Sequence, residues 1–290
     1  MNRKKLVALI MVLALAFTTL VGGTLAYFTD EDDATNTFTM GNVKIEQYEW
    51  QRSDSEDGSS EAIEEFEQDQ KIFPAVHNKL TPKEDITVND YDFTIRSQKG
   101  NYIDKIINVE NTGNSDAYVR TLIAIPNMNG YDDNKNASEN PFHWNYLDST
   151  DFGGIGWNWS GSKDGDPSEQ DDKIPEVVIA GVEYDVYVAT YNEALPADEF
   201  TSPSMVGFYL DDSVGYDDDG YFSMQGGQRI DLSDWLVPDN NGLVTLKIYA
   251  LSQACQTEGF DDAWEALDEA FGDVNATNAA KWFADILPLN

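Results

Sequence analysis

The side chains that most often carry metal or nucleophile chemistry are scarce in this sequence. It contains two histidines, His77 and His143, and one cysteine, Cys255. The histidines are far apart and no His-Glu-x-x-His sequence is present, so the usual helical zinc site of a peptidase is missing. A site assembled from both histidines and an aspartate is the alternative that this spacing leaves open. We expect Cys255 to be a small buried side chain, because no basic residue close to it in sequence would activate the thiol.

Carboxylates are abundant instead. The chain has 53 acidic and 18 basic residues and a formal net charge of −35. Residues 164–172 place oxygen-bearing side chains at alternate positions, but they lack the glycine and the glutamate of an EF-hand loop. Residues 217–220 form a second acidic turn, and both stretches are typical of solvated loops. Because so acidic a chain repels itself, we expect calcium, a possible cofactor, to stabilise it modestly. The same charge argues against nucleic acid as a partner.

Aromatic side chains cluster with amides in a long segment that is rich in Asn, Asp, Gly and Ser. The cluster consists of Trp144, Tyr146, Trp157 and Trp159, within residues 127–173. Exposed rings of this kind could stack on sugars, which makes the four residues possible glycan contacts. The alternative is that the rings anchor a long loop by burying their area, and we favour this interpretation because long loops need such anchors.

Residues 1–26 have the pattern of a secretory signal peptide. A basic stretch at 3–5 precedes an apolar run at 6–21, which is shorter than the roughly 20 residues that span a bilayer. Small residues follow, and they predict cleavage between Ala26 and Tyr27. The alternative is an uncleaved membrane anchor. Cleavage predicts a secreted, extracellular protein with no stable membrane anchor and with signal peptidase as a transient partner.

The rest of the chain has the pattern of an all-β protein. Residues 102–110 and 117–125 alternate apolar and polar side chains, and the Gly/Asn turn at 111–114 joins them as an antiparallel hairpin. Further short strands follow, and helical patterns occur only near the C-terminus, beginning close to Asp262 and Asn278. This order predicts an antiparallel β-sandwich with long loop insertions and short C-terminal helices.

The predicted domain organisation follows from these patterns. After the signal peptide, residues 27–46 form an N-terminal donor or first strand. Residues 47–290 form a single β-sandwich domain, which carries an acidic loop at 51–70 and a long loop insertion at 127–173.

Three stretches resemble the TasA/camelysin family of exported proteins. The sequence GGTLAYFTD at 22–30, followed by ATNTFTMG at 34–41, is similar to the signal-peptide exit of that family. The hairpin NVENTGNSDAYVR at 108–120 is similar to a second family motif, and residues 250–264 are similar to the closing strand and helix. The family has a dedicated signal peptidase.

The resemblance implies a jelly-roll sandwich whose mature N-terminal segment is donated to the next subunit. Strand addition supplies main-chain hydrogen bonds and inserts alternate side chains into pockets, and head-to-tail addition grows filaments. The side chains offered to a neighbour would be Phe38, Met40, Val43 and Ile45. The alternative is that residues 38–46 are the first strand of their own sandwich.

The function implied by the resemblance is that of a secreted structural protein that self-assembles into fibres of a biofilm matrix. Its partners would be further copies of itself or related matrix subunits. A secreted carbohydrate- or surface-binding sandwich module is the alternative from another class. A camelysin-like metallopeptidase comes third, because the sequence lacks a helical zinc motif.

Overall fold

The computed structural model describes residues 43–52, 63–67, 85–88, 93–96, 103–128, 140–211, 213–236 and 246–287. These residues form short strands followed by two helices. The strands are β1 (Ile45–Arg52), β2 (Ile63–Glu65), β3 (Asp85–Val88), β4 (Phe93–Arg96), β5 (Ile103–Asn111), β6 (Ala117–Pro126), β7 (Phe142–Tyr146), β8 (Trp157–Asn158), β9 (Lys173–Ile179), β10 (Val182–Tyr191), β11 (Met205–Leu210), β12 (Val214–Asp217), β13 (Gly220–Gln225), β14 (Gln228–Asp231) and β15 (Tyr249–Gln256). The helices are α1 (Ala263–Phe271) and α2 (Ala276–Ile286).

The strands pair into two main antiparallel sheets. Sheet 1 has the order β2-β1-β5-β11-β7, and sheet 2 has the order β15-β6-β10-β8, with β9 also paired to β10. The chain crosses between the two sheets from β5 to β6, from β6 to β7, from β7 to β8 and from β10 to β11, an alternation like that of a jelly roll. Strands β12, β13 and β14 form a separate ribbon, and β3 pairs with β4 as a hairpin. The predicted all-β sandwich is confirmed.

The core lies between the two sheets. Strand β6 directs Val119, Ile123 and Ile125 into it, as the alternation of the sequence predicts, and each of these side chains is at most 1% exposed. Strands β1, β5, β10, β11 and β15 contribute side chains to the same cluster. Burial of this apolar surface is the main source of stability.

The two helices cover the opposite face of sheet 2. Leu122 of β6 and Leu251 of β15 point away from the core and pack with Trp282 and Phe283 of α2. Helix α1 begins after Asp262, whose side chain caps it by accepting from the Glu265 N–H, so the predicted start of this helix is confirmed. Sheet 2 is therefore buried on both faces, and the molecule has three layers.

Some elements differ in extent from the sequence predictions. Helix α2 begins at Ala276, two residues before Asn278, because Asn275 caps it by accepting from the Asn278 N–H at 3.0 Å. The long segment 127–173 contains β7 and β8, and the acidic segment 51–70 contains β2. Strands of five residues or fewer show too few alternations to be recognised as periodic.

Candidate assembly site at the first strand

The predicted assembly strand lies partly within the described residues. Val43 and Ile45 are fully buried and fill the core of their own sandwich in this single chain. Strand β1 continues to Arg52, well beyond the predicted end at residue 46. For Val43 and Ile45, the structure of one chain therefore corresponds to the alternative in which they belong to the first strand of their own domain. Phe38 and Met40 lie outside the described residues, as do Ala26, Tyr27 and His77.

A buried hydrogen-bond network ties β1 to the opposite sheet. The Ser252 hydroxyl donates to Gln47 Oε1 at 2.7 Å and lies 2.9 Å from the Thr121 hydroxyl, while Gln47 Nε2 donates to the Ala250 carbonyl at 3.3 Å. Gln47 is 2% exposed, and Thr121 and Ser252 are fully buried. Withdrawal of β1 would leave these buried polar groups with fewer partners, which is costly. The network thus holds β1 in its own sandwich.

The outer side of β1 is held by a second set of contacts. The Tyr48 and Trp50 rings are stacked 5.3 Å apart, and the Trp50 indole N–H donates to Asn108 Oδ1 at 3.0 Å. The Tyr48 hydroxyl donates to Glu110 at 2.7 Å. Burial raises the pKa of Tyr48, and the Glu110 carboxylate raises it further, so this hydroxyl stays protonated. Both faces of β1 therefore resist its removal.

The edge of sheet 2 that lies nearest β1 is strand β15. It has eight residues, pairs with β6 without a register shift, and contains neither proline nor a basic residue. Among the described strands, only β6 pairs with β15. Other edges are less suited to strand addition, because β2 has three residues and β9 carries Pro175 and a register shift in its pairing with β10.

The aromatic cluster is divided by burial. Trp157 and Trp159 are fully buried, and their indole N–H groups donate to the Ser202 and Leu147 carbonyls at 2.7 and 3.0 Å. Their faces are therefore closed to a sugar in this structure. The rings of Trp144 and Tyr146 pack on Trp159 with centroids 5.4 and 5.1 Å away, and both are partly buried. This packing is the loop anchoring that the sequence favours.

Candidate metal ligands do not converge in the described part of the chain. No group of three His, Cys, Asp or Glu side chains there could hold a metal ion. His143 stacks on Tyr209 with ring centroids 5.0 Å apart and lies 3.5 Å from a carboxylate oxygen of Asp211. In the acidic segment 164–172, Asp166 instead accepts from the Ser168 N–H and hydroxyl. The effect of calcium stays a prediction that rests on total charge.

The single cysteine is buried, as the sequence predicts. Cys255 packs with Ala263, Ala266 and Leu267 of α1. Burial raises the pKa of its thiol to about 11, and Arg120 opposes this only in part. The thiol is therefore protonated and unreactive at neutral pH.

A buried arginine joins sheet 2 to both helices, and sequence reasoning gave it no role. Arg120 is 2% exposed and donates to Gln253 Oε1, Asp268 Oδ1 and the Gly272 carbonyl at 2.7, 2.8 and 3.2 Å. Its guanidinium also lies 5.3 Å from the centroid of the Trp282 ring. One side chain thus connects β6, β15, α1 and α2.

Asp172 lies near this arginine and provides a pH-dependent test of the structure. Burial raises the pKa of Asp172 to about 6, and the attraction of Arg120 only partly offsets it. An acid whose folded pKa is raised stabilises the fold at low pH, and this contribution is lost as the pH rises from about 4 to about 6. Asp172→Asn is therefore expected to raise the free energy of unfolding at pH 7 by about 1 to 2 kcal/mol, with little gain at pH 4.

The measurement is urea denaturation of residues 27–290 at several pH values. Asp171→Asn is the matched control, since Asp171 is exposed and the substitution removes the same charge. Equal gains from both variants would show that total charge, rather than the burial of Asp172, sets the effect.

The described residues thus define an antiparallel β-sandwich protein whose first strand is built into its own core. A family model described as camelysin metallo-endopeptidase, from the family that includes TasA, matches residues 2–49. The resemblance found in the sequence is confirmed over this stretch, which ends within β1. No curated protein and no solved structure matches the chain. None of the helices in the described ranges is long and apolar enough to cross a membrane.

Proposed function

We propose that this chain is a secreted structural protein that assembles into extracellular matrix fibres by donating the segment between the signal peptide and β1 to a neighbouring copy. The family match supports the proposal because it covers the signal-like segment, the donated segment and the start of β1. This match is the observation that carries the proposal, and the anchoring of β1, both of whose faces are held by its own sandwich, limits donation to the residues that precede it.

The anchoring changes which residues are donated. Val43 and Ile45 stay in the core of the donor subunit, and the segment that leaves consists of residues 27–42. Within it, Phe38 and Met40 alternate with Thr37 and Thr39, so the two apolar side chains point to the same face in an extended strand. This face would enter a groove of the neighbour.

The accepting edge would be β15. An added strand needs a long, regular edge, and β15 has eight residues in unbroken register with β6. Its inward side chains Ala250, Ser252 and Ala254 are small. They would therefore leave room for the side chains of an added strand to reach the core. Addition at this edge is head-to-tail and continues into a filament.

The test is negative-stain electron microscopy of residues 27–290 with two matched double variants. Filaments are expected for the unchanged chain and for Thr37→Asp/Thr39→Asp, while Phe38→Asp/Met40→Asp should stay monomeric. The two variants add the same charge to opposite faces of one segment. Removal of residues 27–42, which leaves β1 in place, should also give monomers.

Monomers of the unchanged chain at high concentration, with and without calcium, would contradict assembly. Equal loss of filaments in the two double variants would contradict the insertion of Phe38 and Met40. Hydrogen exchange then tests the acceptor, because amides of residues 249–256 should become protected in filaments. Filaments without this protection would exclude β15 as the accepting edge.

A further inference from the structure

A buried Glu–Lys pair joins β1 to β5 at the end of the sandwich beyond Gln47. The side chains of Lys105 and Glu49 are 5% and 9% exposed, and Lys105 Nζ contacts Glu49 Oε2. The ring of Phe66 lies against the amine, with 4.4 Å between Nζ and the ring centroid. The amine and the carboxyl group are thus enclosed together on neighbouring strands.

The contacts of this pair compensate poorly for the desolvation of two buried ions. Glu49 Oε1 is buried and has no hydrogen-bond partner among the residues that the structure describes. A buried ion pair offsets its desolvation only when further hydrogen bonds satisfy the remaining lone pairs and protons. A reaction that removes both charges would therefore relieve the cost of their burial.

We propose that Lys105 and Glu49 condense to an intramolecular amide cross-link between β1 and β5. The Lys105 ammonium first passes one proton to the Glu49 carboxylate along their existing contact. The neutral amine then attacks the carboxyl carbon, the C–N bond forms and one C–O bond breaks. The departing hydroxyl takes a second proton from nitrogen and leaves as water. No oxidant, reductant or cofactor is required.

Three features of the site favour this reaction. The two strands hold the reacting groups in contact, which replaces a bimolecular encounter by a fixed geometry. Burial under Phe66 limits the access of bulk water, which would compete with the amine for the carboxyl carbon. The two residues are 56 positions apart in sequence, so the bond would close a long loop and restrict the unfolded chain as a disulfide does. The chain has one cysteine and cannot form an internal disulfide.

The test is mass spectrometry of the purified protein, secreted or refolded, after complete denaturation. The unchanged chain should weigh one water molecule, about 18 Da, less than its sequence predicts. Trypsin should fail to cut after Lys105, and the digest should contain one branched peptide that joins the segments of Glu49 and Lys105.

Lys105→Arg is the matched control, because it keeps the positive charge but has no primary amine to form the amide. This variant and Glu49→Ala should each show their full sequence mass. Full mass of the unchanged chain together with normal cleavage after Lys105 would overturn the proposal. The result is independent of filament formation, so loss of mass in a protein that stays monomeric would support the cross-link and contradict only the proposed assembly.

Discussion

Arg120→Ala is expected to lower the free energy of unfolding by about 3 to 5 kcal/mol, the usual cost of removing one partner from a buried charged network. The substitution leaves the fully buried Gln253 side chain and the Gly272 carbonyl without their donor, and it removes the cation from the Trp282 ring. It also removes the ion pair with Asp268, which links α1 to sheet 2.

The control for Arg120 is Arg229→Ala. Arg229 also forms one ion pair, with Asp217 at 2.9 Å, and lies over the Phe222 ring at 4.6 Å, but its side chain is 34% exposed. Its loss should cost less than about 1 kcal/mol. Urea denaturation at pH 7 compares the two variants. Similar losses would show that the contacts of Arg120 contribute no more than an ordinary surface ion pair.

Trp159→Ala is expected to destabilise the fold by about 3 to 5 kcal/mol, because it empties a large buried site. Trp159 is fully buried, donates to the Leu147 carbonyl and packs against the Trp144 and Tyr146 rings. The prediction separates the two interpretations of the aromatic cluster. A ring that serves only to bind sugars would be removed with little effect on stability.

The matched control is Ile155→Ala in the same segment, where the side chain is 49% exposed. Its effect should stay within about 0.5 kcal/mol. Thermal unfolding, followed by circular dichroism, measures both variants. A Trp159→Ala protein with an unchanged melting temperature would contradict loop anchoring.

The sequence predicts much of the fold because apolar and polar side chains alternate along those strands that have one apolar face, and this alternation marks the inward and outward positions. In β6 the inward side chains Val119, Ile123 and Ile125 are apolar, and Thr121 is the polar exception among them. The predicted hairpin of β5 with β6 is wrong, because the turn between them carries the chain from sheet 1 to sheet 2 and the two strands do not pair with each other. The outward residues Leu122 and Ala124 are apolar too, yet the helices that cover them lie about 150 positions later in the chain. Local periodicity cannot reveal that third layer.

The candidate site was predicted only in part, for a related reason. The alternation of β1 stops after Ile45, because the next inward positions are Gln47 and Glu49. Gln47 is buried because Ser252, 205 positions away in sequence, donates to it, and Glu49 is buried beside Lys105, 56 positions away. Arg120 was overlooked in the same way. Buried polar residues depend on tertiary partners that a local pattern does not contain.

The register of β1 also has a mechanical consequence. From Ile45 to Trp50 the strand lies antiparallel to β5, and the chain before it leaves at the end of β1 that faces Asn111. A pull along β1 from this side acts parallel to the strand and loads the whole ladder in shear, so its hydrogen bonds must break together rather than one after another. In a filament joined through residues 27–42, the same strand would transmit force from one sandwich to the next.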